Sequence, residues 1–136
     1  MEGVTVNAYL FFDGNCREAM EFYRQAFGGE LFIQTFGEVD KSCPEAMKDG
    51  VMHARLNAGD VILMASDTPA DEVLGTGKIS LAIGGTDEKR LRQLFESLSI
   101  GGKVGHELKK EAWGDIYGDL RDKYNVQWMV NITDKK

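Results

Sequence analysis

The chain has 136 residues, the usual size of one domain. Its hydrophobic share of 43%, with seven Phe, four Tyr and two Trp, is enough for a real core. Twenty-two acids against 16 bases give a formal charge of -6, which excludes a basic nucleic-acid-binding surface and an anionic membrane as partner.

The N-terminus, MEGVTVNAYLFFDG, carries an acid and no early Lys or Arg, and its apolar stretch is too short for a signal core. No run approaches the roughly 20 apolar residues of a membrane helix, so a cytoplasmic protein is expected. Thr5 to Phe12 is short and rich in β-formers and predicts a strand. Asp13-Gly14 marks a turn. Asn15 and Glu18 have the spacing of a capping box at the start of a helix. That helix places Ala19, Phe22, Tyr23 and Ala26 on one stripe and stops at Gly28-Gly29. A second strand is predicted from Glu30 to Gly37, then a polar loop from Glu38 to Gly50. Val51 to Asn57 and Val61 to Ala65 read as a hairpin around Ala58-Gly59-Asp60.

Residues 67–77, with Pro69 and two glycines, read as a linker, after which the pattern recurs. Lys78 to Ile83 predicts a strand and Gly84-Gly85 a turn. Thr86 is placed to cap a helix with Asp87 and Glu88 in its first turn and a stripe of Leu91, Leu94, Phe95 and Leu98. Gly101-Gly102 ends it. Three strands follow, Val104 to Leu108, Asp115 to Leu120 and Val126 to Ile132, the last two joined by a turn at Asp122 to Asn125. The two helical stripes match at a constant offset, and residues 59–64 lie over 124–129. Such self-similarity predicts a duplicated βαβββ unit, with repeat one at 1–66 and repeat two at 78–136 within a single domain. Each curved sheet then has a helix on its outer face and a second apolar face to shelter. Two such sheets pairing into a cup create a pocket for a small molecule. Both parities are apolar in several strands, so the sequence does not fix which one lines that pocket.

Tyr9 to Asn15, then Glu18-Ala19, Phe22-Tyr23 and Phe27-Gly28-Gly29, resemble the opening of PhnB-like proteins of the glyoxalase, bleomycin-resistance and extradiol-dioxygenase (vicinal-oxygen-chelate) superfamily. His53-Ala54 with Leu56, Gly59-Asp60, Met64 to Asp67, Trp113-Gly114, Tyr117-Gly118, Asp122, Trp128 and Asn131 extend the resemblance over nearly the whole chain. It implies an α+β fold with a cupped, mixed sheet of eight strands, helices on the outside, and often a homodimer. It also implies a divalent metal held by the first, fourth, fifth and eighth strands. Carried over, those positions fall at Ala8, near Leu63, at Lys78 and at Met129, none of them a good ligand for such an ion. No metal or other cofactor is therefore expected. Names attached to PhnB-like proteins suggest phosphonate metabolism or methyl transfer. A methyltransferase using S-adenosylmethionine commonly has a larger nucleotide-binding domain and a glycine-rich loop, which this sequence lacks.

The remaining candidates are few. His53, in mid-strand, is a candidate general base. Glu107 and Tyr117 are candidate partners in proton transfer. Tyr9, Phe11, Trp113 and Trp128 offer aromatic walls, Asn131 an amide, and Lys78 a cation for an anionic group. His106, beside Glu107 in a strand, points away from it and reads as structural, and Asp67 and Asp122 read as turn formers. No G-x-S-x-G, P-loop or G-x-G-x-x-G motif is present. Three functions remain in view: a small-molecule binder like the bleomycin-resistance branch, an enzyme of proton transfer or isomerisation, and an interaction protein whose cups its own side chains fill.

Overall fold

The computed structural model describes residues 7–67, 79–112 and 114–133. Lys78, Trp113 and most of the predicted linker lie outside them. The chain divides into two compact units, Met1–Leu74 and Gly75–Lys136. Each holds one β-α-β-β-β repeat, so the class is α+β, with two four-stranded mixed sheets. Among the described residues no helix is long and apolar enough to cross a membrane.

In the first unit β1 (Ala8–Phe12), β2 (Glu30–Thr35), β3 (Val51–Ala58) and β4 (Val61–Asp67) run in the order β1-β4-β3-β2. β1 lies parallel to β4, and the other pairs are antiparallel. Helix α1 (Cys16–Phe27) packs on one face, burying Cys16, Ala19, Met20, Tyr23, Ala26 and Phe27. Beneath it lie Phe12, Ala54, Leu56, Leu63 and Ala65. The helix stops at Gly28, its C-cap, with a φ of 80°, and Gly29 follows with a φ of 88°. A side chain there would also run into the backbone of Asn57 and Ala58, so only glycine lets β2 leave so close to β3.

The second sheet repeats this order as β5-β8-β7-β6: β5 (Leu81–Gly85), β6 (Lys103–Lys110), β7 (Ile116–Arg121) and β8 (Gln127–Ile132), with β5 parallel to β8. Helix α3 (Glu88–Ser99) buries Leu91, Leu94, Phe95 and Leu98, and Leu120, Trp128, Val130 and Ile132 complete that core. The predicted equivalence holds in detail. Leu63 and Trp128, aligned in the sequence, are both buried, and each pairs with the first strand of its own sheet.

Several local expectations fail for identifiable reasons. Asn15 occupies the N-cap of α1 without a side-chain cap bond; instead Asp67, at the end of β4, accepts the Cys16 N–H at 2.9 Å and the Val51 N–H at 2.9 Å. A carboxylate at that point satisfies an orphan donor and favours the helix dipole. β2 ends at Thr35 rather than Gly37, because Thr35 and Glu38 form a capping box that starts a short helix, α2 (Phe36–Val39). β5 begins at Leu81 and includes Gly84 and Gly85, which pair with Asn131 and Ile132 rather than making a turn. Asp87, not Thr86, caps α3, accepting the Arg90 N–H at 3.1 Å.

Candidate functional site

Register settles the parity that the sequence left open. Residues directly opposite one another in neighbouring strands share a face. In the first unit the face away from α1 therefore carries Phe32, Arg55, Met64 and Tyr9 in one row. Gln34 pairs with His53 in the next row, and Phe11 with Ser66. Phe32, Phe11 and Tyr9 are 59%, 49% and 39% exposed, far above what ring-sized apolar side chains show in a finished core. The Tyr9 and Phe11 rings lie 5.2 Å apart, and the Tyr9 hydroxyl meets His53 Nδ1 at 3.1 Å. Three predicted site residues, Tyr9, Phe11 and His53, are thus brought together, and Arg55, missed in the sequence, joins them. The signal for Arg55 was its position two residues from His53 in the same strand.

On the second sheet three rows face away from α3. The first is Lys109, Tyr117, Asn131 and Gly84; the second His106, Asp119, Met129 and Ala82; the third Lys103, Arg121 and Gln127. Lys103, His106 and Lys109 share one face although they stand three apart, because β6 is irregular between Val104 and His106 and again between His106 and Lys109. Each such irregularity shifts the alternation by one residue. A pocket of about 300 Å³ opens here, lined by Lys103, Tyr117, Asp119, Arg121 and Gln127 among others.

His106 Nδ1 lies 3.0 Å from Asp119 Oδ2 and 3.1 Å from Oδ1, and the Tyr117 hydroxyl donates to Asp119 Oδ2 at 2.8 Å. Burial, then the hydrogen bond to Asp119 and the negative charges of Asp119 and Glu111, raise the Tyr117 phenol above its usual value, so it stays a donor. The group His106, Asp119 and Tyr117 was not foreseen: strict alternation along β6 gave no reason to set His106 against Asp119.

The other expected residues are placed as follows. Glu107 is exposed on β6. Asn131 is half-buried and donates through Nδ2 to Asp115 at 2.9 Å. Trp128 is 2% exposed, on the opposite parity from Asn131, with its Nε1–H given to Asp122 at 2.8 Å. Asp122 does hold the β7–β8 turn, accepting the N–H groups of Tyr124 and Val126 as well.

The family's metal positions do not fit a divalent ion. Ala8 and Leu63 pair side by side but lie on the parity that packs under α1. Their open-face neighbours in the register are Tyr9 and Met64, and in the second unit Ala82 stands opposite Met129. Phenol, thioether and methyl groups are not the imidazoles and carboxylates such a cation requires. Among the described residues no group of three His, Cys, Asp or Glu side chains is placed to hold a metal. A larger hollow of about 780 Å³ lies at the start of α1, lined by Asp13, Arg17, Glu18, Phe36 and Met47 among others. Both oxygens of Asp67, on its wall, are already taken by backbone N–H groups.

A family profile described as 3-demethylubiquinone-9 3-methyltransferase matches residues 4–131. The chain belongs to this PhnB-like family. Protein PA1353 from Pseudomonas aeruginosa is 36% identical, and its crystal structure aligns over 98% of this chain and 100% of that one with a TM-score of 0.84. Protein YjdN of Escherichia coli (strain K12) is 29% identical over 94% of this chain and 95% of its own length. The PhnB protein from Bacillus cereus, 23% identical, aligns over 96% of this chain and 100% of its own with a TM-score of 0.76. The fold extends to a glyoxalase/bleomycin resistance protein/dioxygenase family enzyme from Burkholderia phytofirmans PsJN, at 14% identity over 93% of this chain and 98% of that one, with a TM-score of 0.60. The PhnB-like resemblance and the βαβββ duplication read from the sequence are both borne out.

Proposed function

We propose that this PhnB-like protein binds a small molecule with an aromatic body and an anionic group on the open sheet face of its first unit. The observation that carries this reading is the row Phe32, Arg55, Met64 and Tyr9, with Phe11 and His53 beside it. The rings and the thioether offer flat apolar contact, Arg55 offers a fork of donors for a carboxylate, and Tyr9 with His53 offers directed hydrogen bonds. No metal is needed for such binding. The protein acts in the cytoplasm as a homodimer; the exposed rings of Phe11 and Phe32 support the second copy, since uncovered apolar patches of this kind mark interaction surfaces.

Thermal-shift screening with aromatic acids, aromatic drugs and 2-oxo acids tests the reading. A saturable rise in Tm that disappears in Arg55→Gln and Tyr9→Ala supports it. A rise that both variants keep removes the first-unit face from consideration.

A second reading, proton transfer, is favoured by the 3.1 Å contact between the Tyr9 hydroxyl and His53 Nδ1, which orients the imidazole as a base is oriented in acid–base catalysis. Turnover of any ligand found in the screen, followed by NMR in deuterated water, decides it. Solvent deuterium incorporation lost in His53→Ala supports this reading, and incorporation unchanged in that variant ends it.

A further inference from the structure

The second unit holds an arrangement that the aromatic face of the first does not explain. Its open face ends in a cross-strand pair of cations, Lys103 opposite Arg121. Arg121 is steadied by Asn125, which accepts from its guanidinium at 2.8 Å. One row along, two residues further up β7, stand Asp119 and His106. The two rows are about 7 Å apart, the repeat of a pleated strand. The pocket of about 300 Å³ spans both, with Gln127, Ser80 and Met129 on its wall. That volume is at the small end of ligand pockets.

The charges are asymmetric. Lys103 and Arg121 make one end cationic, in a chain whose formal charge is -6. Among the described residues the carboxylate in the pocket is that of Asp119, engaged by two donors, His106 Nδ1 and the Tyr117 hydroxyl. A carboxylate only accepts, so Nδ1 carries the proton, and the second ring nitrogen, Nε2, is left for a ligand. Among the described residues nothing engages Nε2 of His106. This end therefore asks its ligand for a hydroxyl, which can donate or accept, and the other end asks for an anion. Gly105 keeps the arrangement open, since a Cβ there would collide with Asp119 Oδ1.

We propose that the open face of the second unit is a binding site for a small hydroxylated acid: Lys103 and Arg121 hold a phosphate or carboxylate head, and His106, set by Asp119 and Tyr117, shares a hydrogen bond with a hydroxyl about 7 Å away. The site stands on the second unit alone, so its failure leaves the aromatic site untouched, and the reverse also holds.

The test uses the full chain and two probes of similar size, glycerol 3-phosphate and propyl phosphate, followed by isothermal titration and by backbone NMR shifts. Glycerol 3-phosphate binds more tightly, with shifts at Lys103, Asp119, Arg121 and Gln127. Lys103→Gln and Arg121→Gln each weaken both probes at least tenfold. His106→Phe, a change at an exposed position, removes the preference for glycerol 3-phosphate and leaves propyl phosphate unaffected. The matching carboxylates, 4-hydroxybutanoate and butanoate, distinguish a phosphate head from a carboxylate head: either pair showing the same preference and the same response to the variants upholds the site. Equal affinity for the hydroxylated and plain members of both pairs, or shifts that Lys103→Gln and Arg121→Gln leave unchanged, overturns it. Far-UV circular dichroism confirms that each variant is folded before it is scored.

Discussion

The indole N–H of Trp128 donates to the carboxylate of Asp122 at 2.8 Å, in a site where Trp128 is 2% and Asp122 3% exposed. The same carboxylate takes two backbone N–H groups of the turn it belongs to, so one charged group ties the β7–β8 turn to the core under α3. Replacing it strands three donors, one of them deeply buried. Asp122→Ala is expected to cost about 3 kcal/mol, the cost of removing a charged acceptor from buried donors. Trp128→Phe, which keeps most of the apolar body, is expected to cost less. Urea denaturation of both variants checks the ranking.

Asp67 plays the corresponding role in the first unit, bonding the first turn of α1 through Cys16 and the start of β3 through Val51. Asp67→Ala is expected to destabilise by about 1–3 kcal/mol. Asn15→Ala, by contrast, removes no cap bond and is expected to be close to neutral. A larger effect at Asn15 than at Asp67 in thermal unfolding contradicts the assignment.

The Cys16 thiol is 0% exposed. Burial, then the charge of Asp67, push its pKa from 9.0 up to about 12, against a smaller lowering by Arg17. The folded state thus favours the neutral thiol. The resulting stability is fully present below about 9 and is lost as pH climbs towards 12. Wild type is expected to lose more stability than Cys16→Ala between pH 8 and pH 11, measured by chemical denaturation. At pH 8 iodoacetamide is expected to modify Cys43, which is only partly buried, well before Cys16.

Two glycines in the second sheet are fixed by their neighbours. At Gly118 a Cβ would stand 2.9 Å from the Phe95 ring and 3.0 Å from Leu108 Cδ2, so Gly118→Ala overpacks the space between α3 and the sheet at a cost of about 1–3 kcal/mol. At Gly105 the added methyl meets Asp119 instead. Gly105→Ala is expected to break the His106–Asp119 contact while costing less stability, because the residue is exposed. Imidazole nitrogen shifts of His106 report the lost contact, and a melting curve reports the stability.

Much of the architecture is legible in the sequence because it rests on local chemistry. The stripe of Leu91, Leu94, Phe95 and Leu98 could only be one face of a helix, and all four are buried. The glycine pair after Phe27 stops α1 where the spacing says it must. The candidate sites are less legible. Tyr9, Phe11, His53 and Tyr117 could be named from the family-like pattern, but Arg55 and the meeting of Tyr117 with His106 at Asp119 could not. His106 stands against Asp119 only because of two irregularities in β6 that no residue type announces.

Taken alone, the order of residues determined two α+β repeats and their helices, since periodicity and turn residues are properties of neighbouring positions. Strand register decided the rest. It set Asp67 rather than Asn15 at the head of α1, turned Trp128 into the core, and set His106 against Asp119. Those outcomes turn on which residues of different strands stand opposite one another. That choice is made by the packing of whole sheet faces against α1 and α3, where a shift of one residue exchanges the buried side for the open one.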